Sequence, residues 1–273
     1  MAGAPPPDDG REIPVPITLE GVGSHWDSSQ TIRRKYADSG EPVILSFSRG
    51  KDSIAAWLAL LDDGVQPSQI HPIYYDTAPG MRFIREDLDY WEEQFEQHIT
   101  VLPSPALYGM LFSFVYQPPT RTGYIEALIA AVGKPPTYQE LEQLYRQGKN
   151  LPDSTPVLTG VRASDSIARS TYIKRSGPYS AEKKRMATIW DWTQTECYER
   201  IADAGLRLPI DYEWFKRNGR KNSGRSFDGV AYQFTRGLKE NAPDDYAVLK
   251  EWFPLIDLDH FRHESLGENA VTF

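Results

Sequence analysis

One cysteine, Cys197, is present among 273 residues. A single thiol cannot close an internal disulfide, build a cysteine-based zinc site or hold an iron–sulfur cluster, and a two-cysteine redox pair would need another chain. No stretch approaches the roughly 20 apolar residues of a membrane span, and the opening MAGAPPPDDG lacks the basic-then-apolar order of a secretory signal. These absences lead us to expect a cytoplasmic protein with no membrane contact. Basic residues are also in deficit: 30 Lys and Arg against 38 Asp and Glu leave a net charge of −8 and a pI near 5.2. That excludes the surface as a whole from serving as a nucleic-acid scaffold, although a local basic patch remains compatible with it.

What is present fits an ordinary folded chain. Apolar residues make up 40% and charged residues 25%, with 7 Trp, 15 Tyr and 11 Phe, so a disordered, collagenous or coiled-coil protein is excluded. The length suits one large domain, or one domain with an appendage. Positive charge concentrates late in the chain, at Lys174, Arg175, Lys183, Lys184 and Arg185, and again at Lys216, Arg217, Arg220, Lys221 and Arg225.

Residues 1–14 are rich in Pro, Ala and Asp with no apolar period, and read as a flexible tail. An α/β domain is expected over 15–210, with an irregular, partly helical insertion at about 105–152, followed by a basic C-terminal extension, 211–273, packed on it. Within the domain, helical and strand patterns alternate. A helix is predicted over Ser28–Asp38, stopped by Gly40, then a short buried strand at Val43–Phe47. Ile54, Ala55, Trp57, Leu58 and Leu61 then recur at helical spacing, with Asp52 or Ser53 as the expected cap. Ile70–Tyr75 reads as a second strand, Met81–His98 as a long helix whose acidic residues, Asp87 among them, face solvent, and Ile99–Leu102 as a third strand. Thr137–Gly148 is a capped helix inside the insertion, Val157–Gly160 resumes the sheet, and Asp191–Ala204 is a helix. The pattern is that of a doubly wound, mostly parallel sheet with helices on both faces, which takes ligands at the carboxyl ends of its strands.

The chemistry concentrates in Ser46-Phe47-Ser48-Arg49-Gly50-Lys51-Asp52-Ser53, between a predicted strand and a predicted helix. Small hydroxyl residues and a glycine let backbone N–H groups point into a cavity, and the helix N-terminus adds partial positive charge, a combination suited to phosphate. Lys51 adds a point charge, and Asp52 is the carboxylate offered to Mg2+, which commonly shares carboxylates with substrate phosphates. The spacing is not the Walker pattern.

This string resembles the pyrophosphate-binding loop, SxGGKDS, of the adenine nucleotide alpha-hydrolase (PP-loop ATP pyrophosphatase) superfamily, specifically its phosphoadenosine phosphosulfate (PAPS) reductase-like branch. Tyr75-Asp76-Thr77 is similar to that branch's Asp-Thr-Gly. Gly160-Val161-Arg162-Ala163-Ser164-Asp165-Ser166 with Arg169 is similar to its Gly-x-Arg-x-x-Glu/Asp-Ser-x-x-Arg segment. Ile189-Trp190-Asp191-Trp192-Thr193 is similar to its Asp-Trp-Thr element. The resemblance implies ATP-Mg2+ bound through Ser46, Ser48, Arg49, Gly50, Lys51, Asp52 and Ser53, with adenosine met by Asp76 and Thr77 and phosphates by Gly160, Arg162 and Ser166. It also implies Lys51, Asp52, Arg162 and Arg169 as catalytic residues and Asp52 as the metal ligand.

Three departures modify the expectation. Arg49 stands where the loop has its second glycine, Ala78 and Pro79 replace the glycine after Asp-Thr, and the C-terminus lacks the branch's nucleophilic cysteine. Cys197 lies at apolar spacing on a helix and reads as a buried small hydrophobe. The retained Lys51-Asp52 pair points to cleavage of ATP into AMP and pyrophosphate with adenylylation of an acceptor, sulfate or a nucleic-acid or small-molecule modification substrate. The alternatives are a sulfonucleotide reductase-like protein and a non-catalytic nucleotide-binding subunit. The segment Lys216–Arg225 is read as a lid, a partner-subunit or nucleic-acid contact, or a solvated loop. Tyr232 and Phe234, at spacing two, mark a half-buried strand or a base-stacking pair. Asp257, Asp259, His260, His263 and Glu264 are read as a solvated segment, with metal ligation as the sharper alternative.

Overall fold

The computed structural model describes residues 26–214 and 226–266. Along the chain the elements are α1 (Ser29–Ser39), β1 (Val43–Ser46), α2 (Lys51–Asp62), β2 (Ile70–Asp76), α3 (Arg82–Phe95), β3 (Thr100–Pro103), α4 (Pro105–Phe112), α5 (Thr122–Val132) and α6 (Tyr138–Gly148). They continue with β4 (Val157–Thr159), α7 (Ile167–Ser176), β5 (Tyr179–Ser180), β6 (Arg185–Ala187), α8 (Gln194–Asp203), α9 (Asp211–Trp214), α10 (Tyr232–Asn241), α11 (Pro243–Trp252) and α12 (Asp257–Leu266).

The sheet has six strands in the order β3-β2-β1-β4-β6-β5. β1 runs parallel to both β2 and β4, and β4 parallel to β6; the short β5 is antiparallel to β6. In β1, Val43, Ile44 and Leu45 are fully buried, as expected of a parallel strand covered on both faces, which reads as a continuous apolar run rather than an alternation. Successive strands proceed from β1 outward through β2 to β3, and the chain then returns to the other side of β1 for β4. The direction of winding therefore reverses between β1 and β4, which makes the carboxyl ends of these two strands a topological switch point.

The chain forms two compact units. The first comprises residues 26–74, 97–100 and 142–208; the second comprises 75–96, 101–141, 209–214 and 226–266. In the first unit α2 is buried over nine of its twelve residues, Lys51 and Ser53 included, and packs on α8 and α1. Phe47 sets its ring edge against Trp57, centroids 5.3 Å apart, and so ties the loop after β1 to this helix. Residues 142–148 of α6 bring Glu142, which pairs with Arg185 of β6.

The second unit holds α3, α4, α5 and α10–α12. Asp87 of α3 is buried, against the expected solvent-facing acidic surface, because it falls on the same stripe as Ile84, Leu88 and Trp91. Residues 232–241 form a helix rather than a strand: half-buried Tyr232 stacks on His263 at 4.0 Å, while Phe234 is buried on the stripe with Thr235 and Leu238. His260 and His263 are buried too, at 3% and 8% exposure, which corrects the expected solvated segment. His260 shares a 3.0 Å hydrogen bond with the Thr235 hydroxyl, and burial lowers its pKa below the usual imidazole value. Among the described residues no group of three or more His, Cys, Asp or Glu side chains converges to hold a metal, and no helix is long and apolar enough to cross a membrane. Residues 1–14 and 216–225 lie outside the described residues.

Candidate phosphate site at the strand switch point

The loop after β1 is set by sequence chemistry at each step. The strand continues into the loop through a hydrogen bond from Phe47 N–H to the Ile73 carbonyl, 2.8 Å. Arg49 then takes φ +61°, a left-handed conformation that costs a residue with a Cβ about 1 kcal/mol or more and persists only where its surroundings enforce it. The enforcement is burial. Its side chain is fully enclosed and its guanidinium sits 6.0 Å from the centre of the Tyr74 ring.

Gly50, not Asp52 or Ser53, is the residue before the first turn of α2, and no side chain caps it. The Ser53 hydroxyl is turned inward instead. It donates to the Gly50 carbonyl at 2.8 Å and accepts the Ser48 N–H at 3.1 Å, with the Ser48 hydroxyl 3.2 Å away. The loop is thus braced from inside, and the helix N-terminus is not covered by a capping side chain, the arrangement in which a helix end accepts an anion.

The loop after β4 meets it. Arg162, 3% exposed, places Nε 2.8 Å from Asp52 Oδ1, while Lys51 Nζ lies 3.0 Å from Asp52 Oδ2. Arg162 is held in turn by Asp165, which accepts from its Nη2 at 2.5 Å and from its backbone N–H at 3.2 Å, and by the Ser164 hydroxyl at 2.9 Å. Asp165 also takes Arg169 Nη1 at 2.5 Å. Three cations and two carboxylates therefore form one chain, Lys51–Asp52–Arg162–Asp165–Arg169, across two loops.

Gly160 explains how the loops approach so closely. A Cβ there would overlap the Asp52 carbonyl and come within 2.9 Å of the Ser53 nitrogen, so only glycine fits. The β4 loop is anchored from behind by Ala163 N–H to the Trp190 carbonyl, 2.7 Å, and by the Ser164 hydroxyl to the Trp192 carbonyl, 3.0 Å.

Of the residues expected from sequence, Ser46, Ser48, Arg49, Gly50, Lys51, Asp52, Ser53, Gly160, Arg162, Ser166 and Arg169 all lie in the first unit. Ser166 spends its hydroxyl as the cap of α7, accepting the Arg169 N–H at 3.2 Å. Asp76 and Thr77 belong to the second unit, where the Asp76 carboxylate accepts the Ala78 N–H at 3.0 Å in a local turn. Asp191 accepts the Ser29 N–H at 3.0 Å and fastens α1.

Three further residues join the cluster: Asp165, named in the sequence only as part of its segment, Cys197, expected as a buried small hydrophobe, and Tyr198, which the sequence did not single out. Asp165 is the pivot between Arg162 and Arg169, and its offsets of three and four residues from them are a readable signal. Tyr198 presents its ring 5.9 Å from Lys51 Nζ, and Cys197, buried beneath, hydrogen-bonds Asp52. Burial first, and the Asp52 charge second, push the Cys197 thiol up to about 12, so it is protonated and a poor nucleophile at neutral pH.

The class this defines is an α/β protein with a polycationic, glycine-dependent loop pair at the strand switch point. No protein-family model matches the chain and no curated protein sequence matches it. Solved structures similar to it include PAPS reductase from Candida auris in a phosphate complex (11% identity, 74% of this chain and 91% of that one, TM-score 0.42) and a tRNA thiolase from Methanococcus maripaludis with its iron–sulfur cluster (12%, 84% and 78%, 0.38). NH3-dependent NAD synthetase from Campylobacter jejuni is another (16%, 84% and 94%, 0.39). The site itself is defined by this chain's own geometry.

Proposed function

We propose that this chain is a PP-loop ATP-binding enzyme that cleaves ATP between its alpha and beta phosphates and adenylylates an acceptor. The observation that carries the reading is the ion-paired junction of Asp52 with Lys51 and Arg162 at the switch point between β1 and β4. A cluster of cations beside an uncapped helix N-terminus is suited to a triphosphate, and its position is where open α/β sheets bind nucleotides.

In this reading the beta and gamma phosphates lie on the loop from Ser48 to Ser53, with Lys51, Arg162 and Arg169 neutralising charge that builds up as pyrophosphate leaves. An acceptor oxygen attacks the alpha phosphorus, the bond to the bridging alpha–beta oxygen breaks, and the pyrophosphate carries away the electron pair. Positioning and preorganised charge supply the acceleration, so no nucleophile is required from the protein. Mg2+ enters with ATP as part of the substrate. Asp52 would be the carboxylate to hold it, beside Lys51 and Arg162, and the metal would add charge neutralisation on the phosphates. The protonated, buried Cys197 speaks for this reading over a thiol-dependent reductase.

The test is the fate of alpha-labelled ATP with Mg2+ and a pool of acceptors drawn from metabolites and nucleic acid. Labelled AMP or an adenylylated product, lost in Lys51→Ala and Asp52→Ala variants that keep native circular dichroism, is the expected result. ATP left intact by the wild type in every acceptor pool overturns the adenylylation reading and leaves a nucleotide-binding subunit.

A further inference from the structure

Helix α7 is basic in an acidic chain. Among the described helices of ten or more residues it alone carries no Asp or Glu, while it holds Arg169, Lys174 and Arg175. The run without a carboxylate extends from Ser166 to Ala181 in a protein of net charge −8. The helix is also largely uncovered: Ile173 is its buried residue and eight of its ten residues are exposed, Ile167 at 88% and Tyr172 at 46%. At 100° per residue, Ile167, Thr171, Arg175 and Tyr172 follow one another round the face opposite Ile173, with Lys174 on one flank and Arg169 on the other. Arg169 belongs to the ion-paired chain through its 2.5 Å contact with Asp165, so this face leads away from the candidate phosphate site.

Charge and side-chain type together identify the occupant. Cations without a competing carboxylate attract a polyanion, and a hydroxyl such as that of Thr171 bonds phosphate oxygens beside them. The exposed ring of Tyr172 among those cations adds a stacking platform, which bases offer a partner only where they are unpaired and splayed. A duplex hides those faces inside its stack. A membrane-surface helix needs an apolar face running along its length, whereas Thr171 and Arg175 here separate Ile167 from Tyr172. We infer that α7 is a docking surface for single-stranded nucleic acid, its cations lying along the phosphodiester backbone and Tyr172 against an unstacked base. Ten helical residues span about 15 Å, the length of roughly four phosphates at about 3.4 Å each. The surface takes a strand in the absence of ATP, so the inference stands apart from the adenylylation reading.

The test is fluorescence anisotropy of a labelled, mixed-sequence single strand of about 12 nucleotides, titrated with the full chain without ATP between about 50 and 200 mM salt. Three phosphate contacts give an expected slope of log affinity against log salt of about −2. The double variant K174Q/R175Q is expected to flatten that slope to about −0.7 and to weaken binding about tenfold at the lower salt. Tyr172→Leu is expected to weaken binding about fivefold or more with the slope unchanged, because stacking carries no counterion release. All three positions are exposed and Gln and Leu are good helix formers, so unchanged melting establishes that each variant folds. A wild-type chain that leaves the strand unbound at about 50 mM salt overturns the inference, including when it binds phosphatidylserine vesicles instead. So does a duplex of the same sequence bound as tightly as the single strand. Glutamine variants with the wild-type slope, or Tyr172→Leu with the wild-type affinity, overturn it as well, since the strand would then sit elsewhere on the chain.

Discussion

Arg162 and Asp52 lie 110 positions apart in sequence and 2.8 Å apart in space, and the arginine is almost wholly buried while the aspartate keeps partial access to solvent. The pair spans the two loops that leave the sheet on either side of its reversal point. Removing the carboxylate leaves the Nε–H of the buried Arg162 unmatched, with Asp165 as its remaining anionic partner, and an unmatched buried donor costs more than the pair contributes net.

Asp52→Ala is accordingly expected to lower stability by about 1–3 kcal/mol and to abolish ATP turnover. Asp52→Asn, which keeps the shape and one acceptor, should recover most of the stability and little of the activity. Urea denaturation beside an assay of AMP release separates the two effects. Equal stability loss in both variants would remove the carboxylate charge from the explanation.

At Gly160 the prediction is steric. Gly160→Ala forces its new methyl into the Asp52 carbonyl, and backbone on both sides must shift. A loss of about 1–3 kcal/mol is expected, together with weaker binding of ATP in calorimetry, because the shift falls on the first turn of α2. An unchanged melting temperature would contradict the close approach.

Cys197 makes stability depend on alkaline pH. Its folded-state pKa is pushed up to about 12, above the ordinary thiol value of about 8.5. The unfolded thiol therefore loses its proton first as pH rises. The stabilising contribution is complete below the unfolded value and is lost progressively above it, with a slope of up to ~1.4 kcal/mol per pH unit. Cys197→Ala should show a flatter decline in denaturation free energy between about pH 8.5 and 10. Alkylation by iodoacetamide should require unfolding; modification of the native protein at neutral pH would show the thiol to be accessible.

His260 acts on the other side of neutrality. Burial lowers its pKa below about 6.5, so the unfolded chain takes up the proton first as pH falls. Stability is full above that value and declines as pH drops through it toward the folded-state value. Denaturation midpoints at pH 7.5 and 5.5 are expected to differ more in the wild type than in His260→Gln, which keeps a hydrogen-bonding group near Thr235.

Much of the first unit was legible before any coordinates. Val43, Ile44 and Leu45 form an unbroken apolar run because a central parallel strand is covered on both faces, and the period changes from strand to helix across Ser46–Ser53, so the loop after β1 fell between recognisable elements. The helices α3, α6 and α8 were found within a few residues of their ends for the same reason. Local signals misled where two periods fit the same residues. Tyr232 and Phe234 satisfy spacing two, but Phe234, Thr235 and Leu238 also satisfy a helical stripe, and the packing of Tyr232 on His263 goes with the helix.

By itself, then, the sequence determined on which kinds of element the residues of the Ser46–Ser53 and Gly160–Arg169 segments sit, because strand and helix periods and a glycine-bearing turn are local properties. Only the tertiary structure decided that Arg162 closes on Asp52, that Arg49 is buried near Tyr74 and that Tyr198 flanks Lys51. Each of these depends on strand order or on what a neighbouring element covers. A pairing across 110 residues is set by the order of parallel strands in the sheet, and no local pattern records that order.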